Sequence, residues 1–343
     1  MSRLEKRLEL AKKELRRSVI DINAEINDKT ELPEGVLFYG IKDTDQIPAL
    51  FLNRLSAHKR FCWLTTDKAA NKGRAIDTDL LNPLTYRVMT GSTSGGPVNI
   101  LKGITDFAIG TDGGGSVLAP AISCQLPSIM AAGLGLHVKE DKTSTDGIQF
   151  MGSIGVIGKS VPLLKQITEI MLARELDTDE DEPITIAIPQ KGTVMRPDGQ
   201  DMHAVIMNYL NRIKLKHVTI KEVDMTGIDE RKRAIVTLQT CFEEVDFVLT
   251  CEGPVDVYGY GETIPQQFGQ AGRELTNDHG KYLIRAANMC KATAVTIPTT
   301  DIASALVIVA KNGLSHGAKA IHLAEKFEQV IELPEVWRRY FLA

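Results

Sequence analysis

Residues 89–135, MTGSTSGGPVNILKGITDFAIGTDGGGSVLAPAISCQLPSIMAAGLG, contain two loops of small residues joined by an apolar segment. The first loop, Gly91-Ser92-Thr93-Ser94-Gly95-Gly96, puts three hydroxyls on a backbone that glycine lets bend tightly. The second, Asp112-Gly113-Gly114-Gly115-Ser116, sets a serine behind three glycines whose uncrowded amides can converge on an oxyanion. Either loop alone reads better as a tight turn built from small residues. Together the two loops form a joint pattern more specific than either alone.

Around this stretch the apolar pattern alternates between short runs and helical periods. Residues 36–41, 60–64 and 107–109 read as strands between glycine-rich loops, and a helix over 162–175 begins at a proline suited to a first turn. Strands at 184–188, 218–223, 247–250, 294–297 and 305–309 are interleaved with helices near 202–213, 230–242, 277–290 and 316–327. This succession predicts an α/β fold, a twisted mixed sheet flanked by helices. At the start, Leu4, Leu8, Ala11, Leu15, Val19, Ile22 and Ile26 recur with a mean spacing of about 3.7, which predicts an amphipathic helix over 1–29. Its apolar stripe would dock on the body of the chain or across a homodimer, leaving 30–343 as a single domain.

The bulk numbers narrow the function classes. Forty Lys and Arg against 44 Asp and Glu leave a net charge of −4, too little positive field to predict nucleic-acid or anionic-membrane binding. The first residues lack the apolar run of a secretory signal, and no stretch is long enough to span a bilayer. Five cysteines, far apart and never C-x-x-C, predict reduced thiols and a cytoplasmic location. The seven histidines show no metal-ligand spacing, so neither metal nor cofactor is expected. Gly152 to Ser160, GSIGVIGKS, imitates a phosphate-binding loop, but one residue too many separates Gly152 from Gly158 for the amides to curl around phosphates.

The two loops resemble the amidase signature family, whose hallmark is G-G-S-S-G-G, an apolar stretch, then G-T-D-x-G-G-S and a nearby P-A. Gly110-Thr111-Asp112-Gly113-Gly114-Gly115-Ser116 meets the second half without a gap, and Pro120-Ala121 follows. Ser92 and Ser116 are 24 residues apart, the interval between the family's two motif serines. Weaker similarity continues through residues 155–164, 245–250 and 288–298, covering most of the chain.

The resemblance implies the amidase signature fold and an amide hydrolase working through an acyl-serine, with a small-molecule amide as substrate. Ser116 would attack, and Gly113, Gly114, Gly115 and Ser116 would supply oxyanion amides. Ser92 would relay protons, or Thr93 if the loop is aligned on its last two glycines. A buried lysine would be the base: Lys42, after the run 36–41, is the better match to the family strand, and Lys68 in Thr65-Thr66-Asp67-Lys68 is the rival. The interval from Lys42 to Ser92 is shorter than in typical members, as is the whole chain. Val117-Leu118 stands where most members have I-R, which removes a cation from the site. Acyl transfer or ammonia supply with a protein partner would use the same intermediate. A binding or scaffold protein that keeps the fold without turnover is the other class open to the sequence.

Overall fold

The computed structural model describes residues 2–28, 33–144, 146–178 and 182–342. Its centre is a sheet made from β1 (Val19–Ile22), β2 (Leu37–Lys42), β3 (Phe61–Asp67), β6 (Phe107–Asp112), β7 (Ser128–Ala131), β8 (His137–Thr143) and β9 (Gln149–Gly158) of the first half. The second half adds β10 (Ile184–Pro189), β11 (Val218–Val223), β12 (Phe247–Glu252), β13 (Thr293–Pro298) and β14 (Ala305–Ala310). The order is β1-β3-β2-β6-β9-β7-β13-β14-β12-β10-β11, with β8 paired to β9, while β4 (Ile76–Leu81) and β5 (Val88–Thr90) form a separate ribbon. Pairing is parallel at β3-β2-β6 and at β12-β10-β11 and antiparallel between these blocks, so the sheet is mixed, as the sequence predicted.

The strands buried along their whole length, β6, β7, β12, β13 and β14, are those with near-continuous apolar runs, because helices cover the sheet on both faces. Side chains alternate between two cores: Phe107 and Ile109 join one cluster while Ala108 joins another with Val98, Ile100 and Val117. The helix Leu314–Val330 packs on β13 and β14, and Gly95–Leu101 packs on β6.

The amino-terminal helix is shorter than expected. It runs from Arg3 to Lys13 under a Ser2–Glu5 capping box, the chain turns through Arg16 at φ 64°, and Val19–Ile22 is strand β1, antiparallel to β3. The 3.7-residue spacing persisted past Lys13 by coincidence. From Val19 the β-branched residues suit a pleated edge, and strand geometry points Val19 into the core that Ala11, Phe38 and Leu64 share. Lys29 lies outside the described residues. The helix is fastened to the body by Arg7, whose guanidinium donates to Asp106 Oδ1 at 2.7 Å and to the Ile104 carbonyl at 2.9 Å. Asp106 also accepts from the Phe38 amide at 2.8 Å.

A second correction concerns residues 277–290. The helix lies before them, at Gly269–Thr276, and the expected helical stretch is a loop with one short turn at Leu283–Arg285. Two residues of that turn region explain the departure: the amides of Tyr282 and Ile284 donate to the buried Glu252 carboxylate at 2.7 and 3.1 Å, a partner that a helix would not have allowed. GSIGVIGKS is the end of β9 and the turn after it.

Candidate active site

The parallel pair β2 and β6 delivers the first two groups. Ile41 is in register with Ile109, so both strands end on the same side of the sheet and Lys42 comes beside Thr111 and Asp112. The carboxyl ends of parallel strands are where open α/β sheets form their clefts. Here a cleft of about 710 Å3 is lined by Lys42, Ser92, Gly113, Gly114 and Ser116, among others.

Lys42 is buried, and its Nζ lies 2.7 Å from Ser92 Oγ, 3.0 Å from Thr111 Oγ1 and 3.4 Å from the Thr111 carbonyl. No carboxylate is among these hydrogen-bond partners. Burial lowers its pKa to about 7, the positive charge of Lys142 lowers it further, and Asp112 pulls in the other direction. Such an amine is substantially neutral near neutral pH.

Ser92 sits in a turn between β5 and the helix Gly95–Leu101, and the Gly91–Ser92 peptide bond is cis. Glycine is required at 91 because a Cβ there would stand 2.4 Å from the Arg74 carbonyl oxygen. The two loops are tied together where the Thr93 amide donates to the Ser116 carbonyl at 3.0 Å. Thr93 itself packs its side chain against Gly110, and its hydroxyl is buried without a hydrogen-bond partner. Lys68 Nζ lies 3.3 Å from Asp77 and 3.2 Å from Asp79. The structure therefore brings Lys42 and Ser92 together, and holds Thr93 and Lys68 in other contacts.

The glycine loop is shaped by Asp112. Its carboxylate accepts from the Gly115 amide at 2.8 Å, from Val117 at 2.6 Å and from Leu118 at 3.3 Å. Gly115, at φ 96°, turns the chain so that this is possible. The Gly115 amide is thus committed to Asp112, which corrects its expected place among the oxyanion donors. Val117 and Leu118 give Asp112 only their main-chain amides. Both side chains are fully buried, and main-chain amides hold the Asp112 carboxylate with no cation at either position. Burial pushes Asp112 above the usual carboxylate range, against the pull of those amides.

Some contributors were missed in the sequence. Thr111 belonged to the motif, and its hydroxyl position at a strand end was the available signal. Phe150 of β9 closes over the loop, so close that a Cβ on Gly113 would fall 2.4 Å from its ring. Arg231 and Arg285 arrive from the second half of the chain, far from any motif, and no local pattern marks them.

No family model matches the chain. Curated relatives do: it is 22% identical over 246 residues to a mitochondrial glutamyl-tRNA(Gln) amidotransferase subunit of Candida albicans (strain WO-1), covering 61% of this chain and 53% of that protein. It is 32% identical over 125 residues to fatty acid amide hydrolase of Medicago truncatula, covering 36% of this chain and 18% of that protein. The chain spans about half the length of the first relative and less of the second. Among solved structures, 6-aminohexanoate cyclic dimer hydrolase complexed with substrate superposes with a TM-score of 0.68 at 12% identity, covering 98% of this chain and 96% of that one. With an unbroken G-T-D-x-G-G-S motif, these relatives and this architecture, the chain is similar to the amidase signature family and shares its fold.

Proposed function

We propose that the cleft hydrolyses a C–N acyl bond of a small-molecule amide through an acyl-Ser116 intermediate. The observation that carries this reading is a buried lysine, carboxylate-free at hydrogen-bond range, whose Nζ is 2.7 Å from Ser92 Oγ. A neutral amine has two N–H bonds and one lone pair. Thr111 offers two acceptors for the N–H bonds, so the lone pair is free to take the Ser92 proton. As Ser92 gives that proton to Lys42, it takes the proton of Ser116, whose Oγ forms a bond to the acyl carbon. The amides of Gly113, Gly114 and Ser116 receive the oxyanion. Collapse breaks the C–N bond, and the proton returns from Lys42 through Ser92 to the leaving amine. Water then attacks the acyl carbon by the same relay, releasing the acid and restoring Ser116.

Delivery of the ammonia to a partner enzyme is a second reading, favoured by the similarity to a component of an amidotransferase. We keep the cytoplasmic assignment within the proposal, supported by five free thiols, four of them buried. The helix Arg3–Lys13 lays its stripe on its own body, which supports the intramolecular docking over a homodimer contact.

The test is intact-mass spectrometry after incubation with a fluorophosphonate, which needs no knowledge of the substrate. One adduct, mapped to Ser116, is expected. A chain that never labels belongs instead to the binding or scaffold class.

A further inference from the structure

Arg231 and Arg285 line the cleft, and the proposed acyl chemistry uses neither of them. Arg285 is 8% exposed. Its Nη1 donates to the Asp229 carbonyl oxygen at 2.8 Å and lies 3.0 Å from His279 Nε2. Burial and the neighbouring cations hold that imidazole well below its ordinary pKa, so both partners are neutral. Among the described residues Arg285 makes no ion pair, and burial together with the like charge of Arg231 pulls its own pKa down to about 10. Arg231 has one carboxylate, Asp146 at 2.5 Å, while its buried Nε has no partner.

Both guanidinium residues adjoin the catalytic loop. A Cβ built on Gly114 would stand 3.5 Å from Arg231 Nη2 and 3.6 Å from the Arg285 carbonyl oxygen, and one on Gly115 would stand 3.3 Å from the Ile284 carbonyl oxygen. The backbone carrying Arg285 is fixed by the Glu252 carboxylate through the Tyr282 and Ile284 amides. A second cleft of about 800 Å3 meets the first along Arg231 and Arg285. In this partly desolvated wall Arg285 has no carboxylate at ion-pair distance among the described residues, Asp146, Asp229 and Asp256 acting on it only from farther off, and an anion in the cleft would supply that missing contact.

We propose that Arg285, assisted by Arg231, is the anion subsite of this cleft and selects amide substrates that carry a carboxylate a few carbons from the scissile bond. Guanidinium matches a carboxylate in plane and in donor geometry, and a hydrogen bond to a charged group is stronger than a neutral one. The proposal rests on the hydrolase reading for its turnover test and stands apart from it for its binding test.

Succinamate and butyramide, of the same chain length, are the probes. The ratio of their kcat/KM values is expected to favour succinamate by about 10- to 100-fold in the wild type. Arg285→Gln should bring the ratio toward one, and Arg285→Lys should retain part of it. A ratio near one in the wild type, or one that Arg285→Gln leaves intact, overturns the proposal. Binding to Ser116→Ala, read by calorimetry, needs neither turnover nor an Arg285 variant that folds. Succinamate binding at least tenfold tighter than butyramide supports the subsite, and equal or absent binding overturns it. Wild-type protein that binds succinamate selectively but hydrolyses neither amide counts against the hydrolase reading alone.

Discussion

Lys42 Nζ and Ser92 Oγ are 2.7 Å apart although 50 residues separate them in sequence, because β2 ends where the turn after β5 passes. On the proposed relay Lys42 acts as the base only when neutral, and a pKa of about 7 means the neutral fraction rises as pH rises through that value. kcat/KM should therefore climb from pH 6 and flatten above about pH 8. Lys142→Gln removes a charge that depresses Lys42, so the midpoint should move to higher pH. A profile that falls over this range, or a midpoint that moves down in Lys142→Gln, contradicts the assignment.

Lys42→Ala should abolish fluorophosphonate labelling while Lys68→Ala should not, since Lys68 is held by Asp77 and Asp79. Ser116→Ala should eliminate labelling and turnover with little change in Tm. Ser92→Ala should slow acylation by about 100- to 10,000-fold and leave a residual rate, as loss of a proton-transfer partner commonly does. A peptide map that places the label on Ser92 or Thr93 would reverse the two roles.

Gly113→Ala tests the oxyanion loop. The new Cβ meets Phe150 at 2.4 Å, so either the ring or the loop must move. If the Gly113 amide is displaced, kcat should drop by about 100- to 1,000-fold, the usual consequence of losing one oxyanion donor. Adding Phe150→Ala makes room for the methyl group and should restore most of the rate. A double variant no faster than Gly113→Ala would show that the cleft does not depend on this amide's position.

Asp106→Ala should destabilise the fold by about 3–5 kcal/mol, because it strands the Arg7 charge and leaves the Phe38 amide without its acceptor. A chain begun at Glu31 should fare worse and aggregate. It loses strand β1 as well as the helix, and so uncovers the edge of β3. Urea melts of the first and sedimentation of the second decide the matter, and unchanged behaviour in both would mean that the amino-terminal segment is dispensable.

The motif residues were legible because their chemistry is local. Glycines, serines and Asp112 fall within one stretch, while resemblance to a family strand offered Lys42 with Lys68 as its rival, and the structure sets Lys42 beside Ser92. Strand positions were also clear wherever a run was apolar throughout, as in β12 and β14. The failures share one cause, a partner distant in sequence or hidden by a turn. Residues 14–22 carry a helical period, yet β3 recruits the second half of them as an edge strand. Residues 277–290 are bent by Glu252, and the Gly115 amide is claimed by Asp112 through a turn that glycine spacing does not reveal. Arg285 reaches the site on a turn held by Glu252 from a distant strand, which no local pattern encodes.

The seam between β7 and β13 joins residues 128–131 to residues 293–298 in the middle of the sheet. During synthesis the chain through β9 can emerge long before β13 exists, with the apolar Ile129 and Met130 on an unclosed border. Contacts of such sequence separation favour slow folding, and an uncovered apolar border is a place where nascent chains adhere to one another. Arg285 belongs to the same later segment, so this wall of the cleft is completed only after residues 252–285 have followed the first half of the sheet. The order of the strands thus ties closure of the first half of the sheet to the arrival of residues 293–310.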